Sequence, residues 1–216
     1  MDRVTWWNAA LLAAAGVLGG LTGSIAGLAS VATYPALLLV GLPPVTANAT
    51  NTVALVFNGI GSVLGSRPEL RGQGAWLTRI APAAAVGGAI GAALLLSTPA
   101  QGFERVVPIL LGLASVAILL PRASRQEARV ADHQRHTVKV PLEAAAIFAI
   151  CIYGGYFGAA AGVLLLAMLL RTGDATLAHA NAGKNVILGV ANVVAAVIFA
   201  IFASVQWWAV VPLGLG

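Results

Sequence analysis

The chain alternates between long apolar stretches and short breaks rich in polar residues, glycine or proline. The apolar stretches cover residues 4–45, 47–64, 75–96, 106–120, 142–170 and 186–205. Several of them reach the roughly 20 residues that an α-helix needs to cross the hydrocarbon core of a bilayer. The pattern therefore predicts an all-α, polytopic membrane helix bundle.

The first apolar stretch, 4–45, is too long for one straight membrane helix. Glycines and prolines interrupt it, among them Gly27, Pro35 and Gly41. At membrane depth an interruption is tolerated only where protein or a water-filled cavity surrounds the exposed backbone. We therefore expect either a broken helix or a hairpin of partial helices.

The glycine pattern of this stretch recurs in the second half of the chain. Each copy has a double glycine followed by two single glycines at the same spacing, and the eight residues are Gly19, Gly20, Gly23, Gly27, Gly154, Gly155, Gly158 and Gly162. One interpretation is close helix packing, which small residues commonly allow in membranes. The other is that the double glycines open the first helix of each half and act in gating, since transporter sites often lie between duplicated, interrupted helices.

A polar cluster opens the apolar stretch that follows each glycine copy. Helix capping and hydrogen bonds between helices would account for single asparagines or threonines. Their recurrence in both halves indicates a binding site built from amide, hydroxyl and ammonium donors. The candidate substrate-binding residues are Asn48, Thr50, Asn51, Asn181, Lys184 and Asn185.

Lys184 is the most informative of these residues. It has no acidic neighbour at helical spacing, and a lysine near the bilayer centre costs about 3 kcal/mol. Its ammonium either extends to the membrane interface, close to Asp174 and His179, or faces an internal cavity and binds a negative substrate.

Composition and charge agree with a membrane protein. Apolar residues make up 59% of the chain and charged residues 9%, against about 25% charged residues in soluble domains. The net charge of +5 does not indicate binding to nucleic acid, because many basic residues gather in the connector 122–140. By the positive-inside rule this connector, together with Arg67 and Arg71, faces the cytoplasm.

These features divide the chain into three parts. A first transmembrane repeat covers 1–121, the cytoplasmic basic connector covers 122–140, and a second transmembrane repeat covers 141–216. The second repeat has no counterpart to the last helix of the first, so we expect it to be incomplete. The pattern leaves open whether the two repeats are parallel or inverted.

The remaining reactive side chains do not form a recognisable catalytic or metal site. Cys151 has no partner cysteine, and His133 and His136 have no third ligand nearby. No phosphate-binding glycine loop occurs, and no histidine or aspartate lies in a membrane segment to activate a serine. We therefore expect no enzyme activity, no metal and no cofactor.

The function that these patterns favour is gradient-driven transport of a small anion. Its expected partners are the anion and membrane lipid, while a coupling ion and the oligomeric state stay open. An anion channel or a structural membrane protein without an alternating site is the alternative.

The order of the segments resembles the sulfite exporter TauE/SafE family, also called the transmembrane sulfur-compound transporter family. The resemblance rests on the glycine-rich opening of each half, the segments TANATNT and HANAGKN, the helix that starts at Trp76, and the basic connector. It implies a multi-pass protein of the bacterial inner membrane that moves sulfite, thiosulfate, sulfoacetate or other organosulfonates. The mechanism that we expect is alternating access, with the candidate residues around a site between the two halves.

Overall fold

The computed structural model describes residues 6–119, 139–172 and 176–216. All regular elements within these ranges are α-helices. In chain order they are α1 (Trp6–Ala26), α2 (Ala29–Leu39), α3 (Pro44–Gly65), α4 (Gly74–Ser97), α5 (Ala100–Leu119), α6 (Lys139–Tyr156), α7 (Ala161–Thr172), α8 (Leu177–Phe202) and α9 (Trp207–Leu215). The all-α class that the apolar pattern predicted is confirmed.

Three of the described helices, α1, α4 and α8, are long and apolar enough to cross a bilayer. Their outward faces carry large apolar side chains such as Leu18, Val86 and Val197, which are about half exposed. Apolar surface of this extent marks a membrane-facing protein. The interior of the bundle contains apolar side chains such as Leu12, Phe103 and Phe199, together with polar side chains of α2, α3 and α8.

Residues 6–39 form a hairpin of one long and one short helix. α1 ends just before Gly27, whose φ of +76° is a left-handed conformation that glycine adopts without strain. The chain then reverses, so that Ala29 lies against Gly23 and Thr33 lies against Gly19. Of the two arrangements that the sequence left open, the structure has the hairpin.

A second hairpin forms around Gly158. α6 ends at Tyr156, Gly158 has a φ of +74°, and Ala160 has a φ of 62°. Cys151 and Leu165, which lie equally far to either side of Gly158, belong to one buried apolar cluster. The short helix α7 therefore packs back along α6.

The double glycines do not interrupt their helices. Gly19-Gly20 lies inside α1 and Gly154-Gly155 lies inside α6, so the expectation that these pairs open the helix is corrected. The interruptions occur at Gly27 and Gly158. One glycine of each pair serves close packing instead: a Cβ on Gly19 would collide with the side chain of Thr33 on α2, and a Cβ on Gly155 would collide with the backbone of Gly88 on α4.

The two hairpins contact each other through backbone. Gly27 at the first interruption faces Gly162 in the first turn of α7, and a Cβ on either residue would collide with the backbone of the other. Such an approach requires glycine, because any side chain would hold the two segments apart. The interruptions of both hairpins therefore meet in the centre of the bundle.

α3 and α8, the helices that follow the two hairpins, pack together in opposite directions. Gly59 in the later half of α3 faces Gly189 in the middle of α8, and the Nδ2 atom of Asn185 donates to the Oγ atom of Ser66 at 3.1 Å. The end of α3 thus meets the beginning of α8. α4 packs against both α6 and α8 and closes one side of the bundle.

The basic connector expected at 122–140 lies almost entirely outside the described residues, and so do His133 and His136. Arg67 and Arg71 lie in the described loop between α3 and α4. This loop marks the end of the bundle that the positive-inside rule assigns to the cytoplasm. The opposite end carries the beginning of α3.

Replacing Gly27 or Gly162 with alanine should destabilise the protein, because the new methyl group would collide with the facing backbone. Overpacking of this kind costs about 1 to 3 kcal/mol, and the positive φ of Gly27 adds strain. We expect the midpoint of thermal unfolding in detergent to fall for both variants. Gly20→Ala is the control, since a Cβ there meets nothing within 4 Å. Equal midpoints for the three variants would contradict a structural role of the hairpin contact.

Candidate functional site

A cavity of about 70 Å³ lies where the two hairpins meet α3 and α8. It exceeds the space that one buried water needs. Its polar lining consists of Ser30, Thr52, Asn58, Ser62, Lys184, Asn185 and Asn192. No aspartate, glutamate or histidine is among the described residues that line it. The cavity therefore offers neutral polar groups and one positive charge.

The positive charge comes from Lys184 on the second turn of α8. Only 1% of this side chain is exposed, and its Nζ atom donates to the backbone oxygen of Gly23 at 3.2 Å. The ammonium is therefore inside the bundle and does not extend to the interface. The last carbonyls of α1 carry the negative end of the helix dipole, which offsets part of the cost of burying a cation.

The first turns of two short helices border the same cavity. Ala29 and Ser30 begin α2, and Ala161 and Gly162 begin α7; all four residues line the cavity. The N–H groups of a first helical turn have no partner within their own helix, and the helix dipole is positive there. Such helix starts favour anions, so the helix starts and the ammonium both favour a negatively charged ligand in the cavity.

Asn51 and Thr50, two of the predicted site residues, face other helices and do not line the cavity. The Oδ1 atom of Asn51 accepts from the Oγ1 atom of Thr33 at 2.5 Å, and its Nδ2 atom donates to the Oγ atom of Ser30 at 3.1 Å. The hydroxyl of Thr50 accepts from the backbone N–H of Gln206 at 3.1 Å. Asn51 thus fastens α2 to α3, and Thr50 fastens the start of α9.

Asn48 and Asn181 satisfy carbonyls at the ends of the two long hairpin helices. The Nδ2 atom of Asn48 donates to the backbone oxygen of Tyr156 at 2.8 Å, and that of Asn181 donates to the backbone oxygen of Ser24 at 2.9 Å. These carbonyls lie in last helical turns, where the helix itself supplies no donor. The Oδ1 atoms of both asparagines are buried and have no hydrogen-bond partner.

A groove of about 540 Å³ adjoins the cavity and shares Asn58, Ser62 and Asn185 with it. It runs between α1, the later half of α3 and α9, and it is lined by Asn181 and Ser66 as well. Ser66 directly precedes the loop with Arg67 and Arg71. The groove therefore connects the cavity with the half of the bundle that carries Arg67 and Arg71, which the positive-inside rule predicts to face the cytoplasm.

Comparison with known proteins assigns the chain to a family. The profile described as Sulfite exporter TauE/SafE matches residues 11–216. The chain belongs to the TauE/SafE family. The resemblance seen in the sequence is thereby confirmed, and the chain is a membrane transporter of this sulfite exporter-like family.

Two relatives of this TauE/SafE chain carry transporter names. The chain is 26% identical over 193 residues to the probable membrane transporter protein YfcA of Escherichia coli strain K12. This alignment covers 88% of this chain and 70% of the relative. It is 28% identical over 221 residues to the probable membrane transporter protein ORF9 of a Sinorhizobium species. That alignment covers 100% of this chain and 81% of the relative. No solved structure shows significant similarity.

Of the six candidate residues in this TauE/SafE chain, Lys184 and Asn185 line the cavity. Asn58 and Asn192 line it as well, although they were not among the candidates. A signal for Asn58 was available, because it lies two helical turns after Asn51 on nearly the same face of α3. A signal for Asn192 was its matching position two turns after Asn185.

Asn51→Ala should lower the stability of the protein more than Asn58→Ala. Asn51 holds α2 through two side-chain hydrogen bonds, whereas the Oδ1 atom of Asn58 accepts only from Ser62 on its own helix, at 3.1 Å. Hydrogen bonds between membrane helices contribute about 0.6 to 1.7 kcal/mol each. Thermal unfolding of both variants in the same detergent measures the difference. A larger loss in Asn58→Ala would show that Asn51 does not fasten α2.

Proposed function

We propose that this protein is a secondary transporter of small sulfur-containing oxyanions across the bacterial inner membrane. The proposed substrates are sulfite, thiosulfate, sulfoacetate and other organosulfonates. The observation that carries the proposal is the buried ammonium of Lys184, which faces a central cavity without an acidic side chain. An anion in the cavity would supply the missing negative charge, and the name of the matching family supports a sulfur oxyanion.

The donor set suits an oxyanion that must also be released. Lys184 would bind the charge, and the carboxamides of Asn58, Asn185 and Asn192 would donate to the peripheral oxygens. Charge-assisted hydrogen bonds are roughly twice as strong as neutral ones, so one ammonium among neutral amides holds an anion less firmly than a cluster of arginines. Moderate affinity permits turnover in a transporter.

The two halves are best described as inverted repeats. α3 and α8 follow corresponding hairpins and carry corresponding polar clusters, yet they run in opposite directions. The two hairpins meet at Gly27 and Gly162, which occupy the same position in the duplicated glycine pattern. In transporters with inverted repeats the substrate site lies near the midplane between the halves, where the cavity is.

In alternating access, the cavity would open toward one side of the membrane while it closes toward the other. Toward the beginning of α3, an aromatic cluster of Tyr34, Phe103, Tyr156 and Phe157 is packed with ring centroids 5.3 to 5.9 Å apart. Toward the end of α3, the polar groove adjoins the cavity. This difference between the two ends supports a conformation that is more accessible from the side predicted to be cytoplasmic. Closure of the groove with separation of the aromatic rings would give the opposite state.

Lys184→Met should abolish saturable uptake of sulfite into proteoliposomes, because the variant retains the bulk of the side chain without its charge. Arg79→Met is the matched control: it removes an exposed cation from α4 and should leave uptake unchanged. The measurement is the initial rate of uptake as a function of sulfite concentration. Normal saturable uptake in Lys184→Met would refute the proposed site. Uptake by the unaltered protein that never saturates would favour a channel.

Asn58→Leu and Asn192→Leu should each weaken sulfite binding by roughly tenfold, since a hydrogen bond to a charged group contributes about 1.5 to 3 kcal/mol. Asn51→Ala should bind sulfite as the unaltered protein does once the folded fraction is corrected for, because Asn51 does not line the cavity. Calorimetric titration of detergent-solubilised protein gives the dissociation constants. If Asn51→Ala alone weakened binding, the substrate would have to bind outside the cavity.

A further inference from the structure

The tip of the first hairpin, which comprises the last turn of α1 and Gly27, is held to α8 by two side chains. Lys184 donates to the backbone oxygen of Gly23 at 3.2 Å, and Asn181 donates to that of Ser24 at 2.9 Å. Both donors lie in the first turns of α8, and both acceptors are terminal carbonyls of α1. The position of this tip therefore depends on the same ammonium that faces the cavity.

The second hairpin tip is held in a different way. Asn48 on α3 donates to the backbone oxygen of Tyr156, in the manner of Asn181 at the first tip. Asn51, which occupies the place of Lys184 in the first polar cluster, is bonded to α2 of its own half and does not reach the second hairpin. Among the described residues, a charged side chain therefore holds only the first tip.

The two contacts at the first tip differ in how readily they can be broken. The oxygen of Gly23 also accepts from the N–H group of Gly27 at 2.9 Å, so it keeps a partner if the ammonium leaves. The N–H group of Leu28, which would reach the oxygen of Ser24 in a continuing helix, donates to Thr22 instead. Loss of Asn181 would thus leave the part-buried oxygen of Ser24 without a donor among the described residues, which is costly in a membrane. For the carbonyl, release by Lys184 is the less costly of the two changes, provided that the ammonium gains another acceptor.

We propose that Lys184 is a latch on the first hairpin that the transported anion opens. When no anion is bound, the ammonium holds the oxygen of Gly23. A bound oxyanion carries a full negative charge, whereas the carbonyl of Gly23 carries only a partial one, so Lys184 turns from Gly23 to the anion. The tip is then attached through Asn181 alone and becomes free to move, so that the hairpin is released only when substrate is present. This inference rests on the proposed function, because it requires an anion in the cavity.

Hydrogen–deuterium exchange of the full chain in detergent tests the latch. Saturating sulfite should speed exchange of the amides in residues 19–28 by roughly tenfold, and chloride at the same ionic strength should not. Lys184→Met should show the faster exchange without sulfite and no further change with it. Asn181→Ala, which removes the other contact, should also speed exchange in 19–28 but should still respond to sulfite.

Asn48→Ala is the matched control, because it removes the corresponding asparagine at the other tip. It should speed exchange in residues 153–162 and leave residues 19–28 as they are in the unaltered protein. If Lys184→Met does not fold, the sulfite response of the unaltered protein and of Asn181→Ala decides the question. Unchanged or slower exchange in 19–28 on sulfite binding overturns the latch.

Calorimetric titration of the same samples with sulfite and thiosulfate separates the two proposals. Binding without a change in the exchange of residues 19–28 means that the cavity takes the anion and that Lys184 does not act as a latch. If neither sulfite nor thiosulfate binds, the proposed function and the latch are both overturned. Binding with faster exchange in 19–28 supports both.

Discussion

Two helix interruptions inside a membrane create a constraint on which the rest of this structure depends. Lipid cannot hydrogen-bond the backbone groups that an interrupted helix exposes, so protein or a cavity must satisfy them. Asn48, Asn181 and Lys184 bring donors to carbonyls in the last turns of α6 and α1. The opposite helix ends, at the starts of α2 and α7, border the cavity. The polar residues of α3 and α8 are therefore required by the hairpins, and the site arises from the same requirement.

Glycine makes this arrangement compact enough to work. Two separate contacts described above depend on its missing side chain: Gly27 with Gly162, and Gly88 with Gly155. In lipid there is little hydrophobic driving force between helices, so close van der Waals packing has to hold the bundle together. The close approach also brings the ammonium of Lys184 and the first turns of α2 and α7 to one cavity.

The helical class, the positions of the apolar helices and the duplicated polar clusters could be predicted from the sequence, because hydropathy and spacing are local properties. The sequence also singled out Lys184, because no acidic residue lies near it on α8, but it left open whether the ammonium reaches the interface or an internal cavity; the structure has it buried. It could not assign partners across the bundle. Whether Asn51 faces a cavity or Ser30 depends on how α2 reverses, and that depends on the conformation of Gly27. For the same reason the double glycines were misjudged: their role comes from neighbours such as Gly88, far away in the chain.

The backbone contact between Gly27 and Gly162 has a consequence for how the halves communicate. The two segments touch through backbone atoms. A displacement of one hairpin tip would therefore act directly on the other tip, and no side chain between them would have to change rotamer. Energetic coupling between two such elements is reciprocal. In the proposed alternating access, a shift of one hairpin tip would therefore favour a shift of the other, and this coupling would run through the main chain itself.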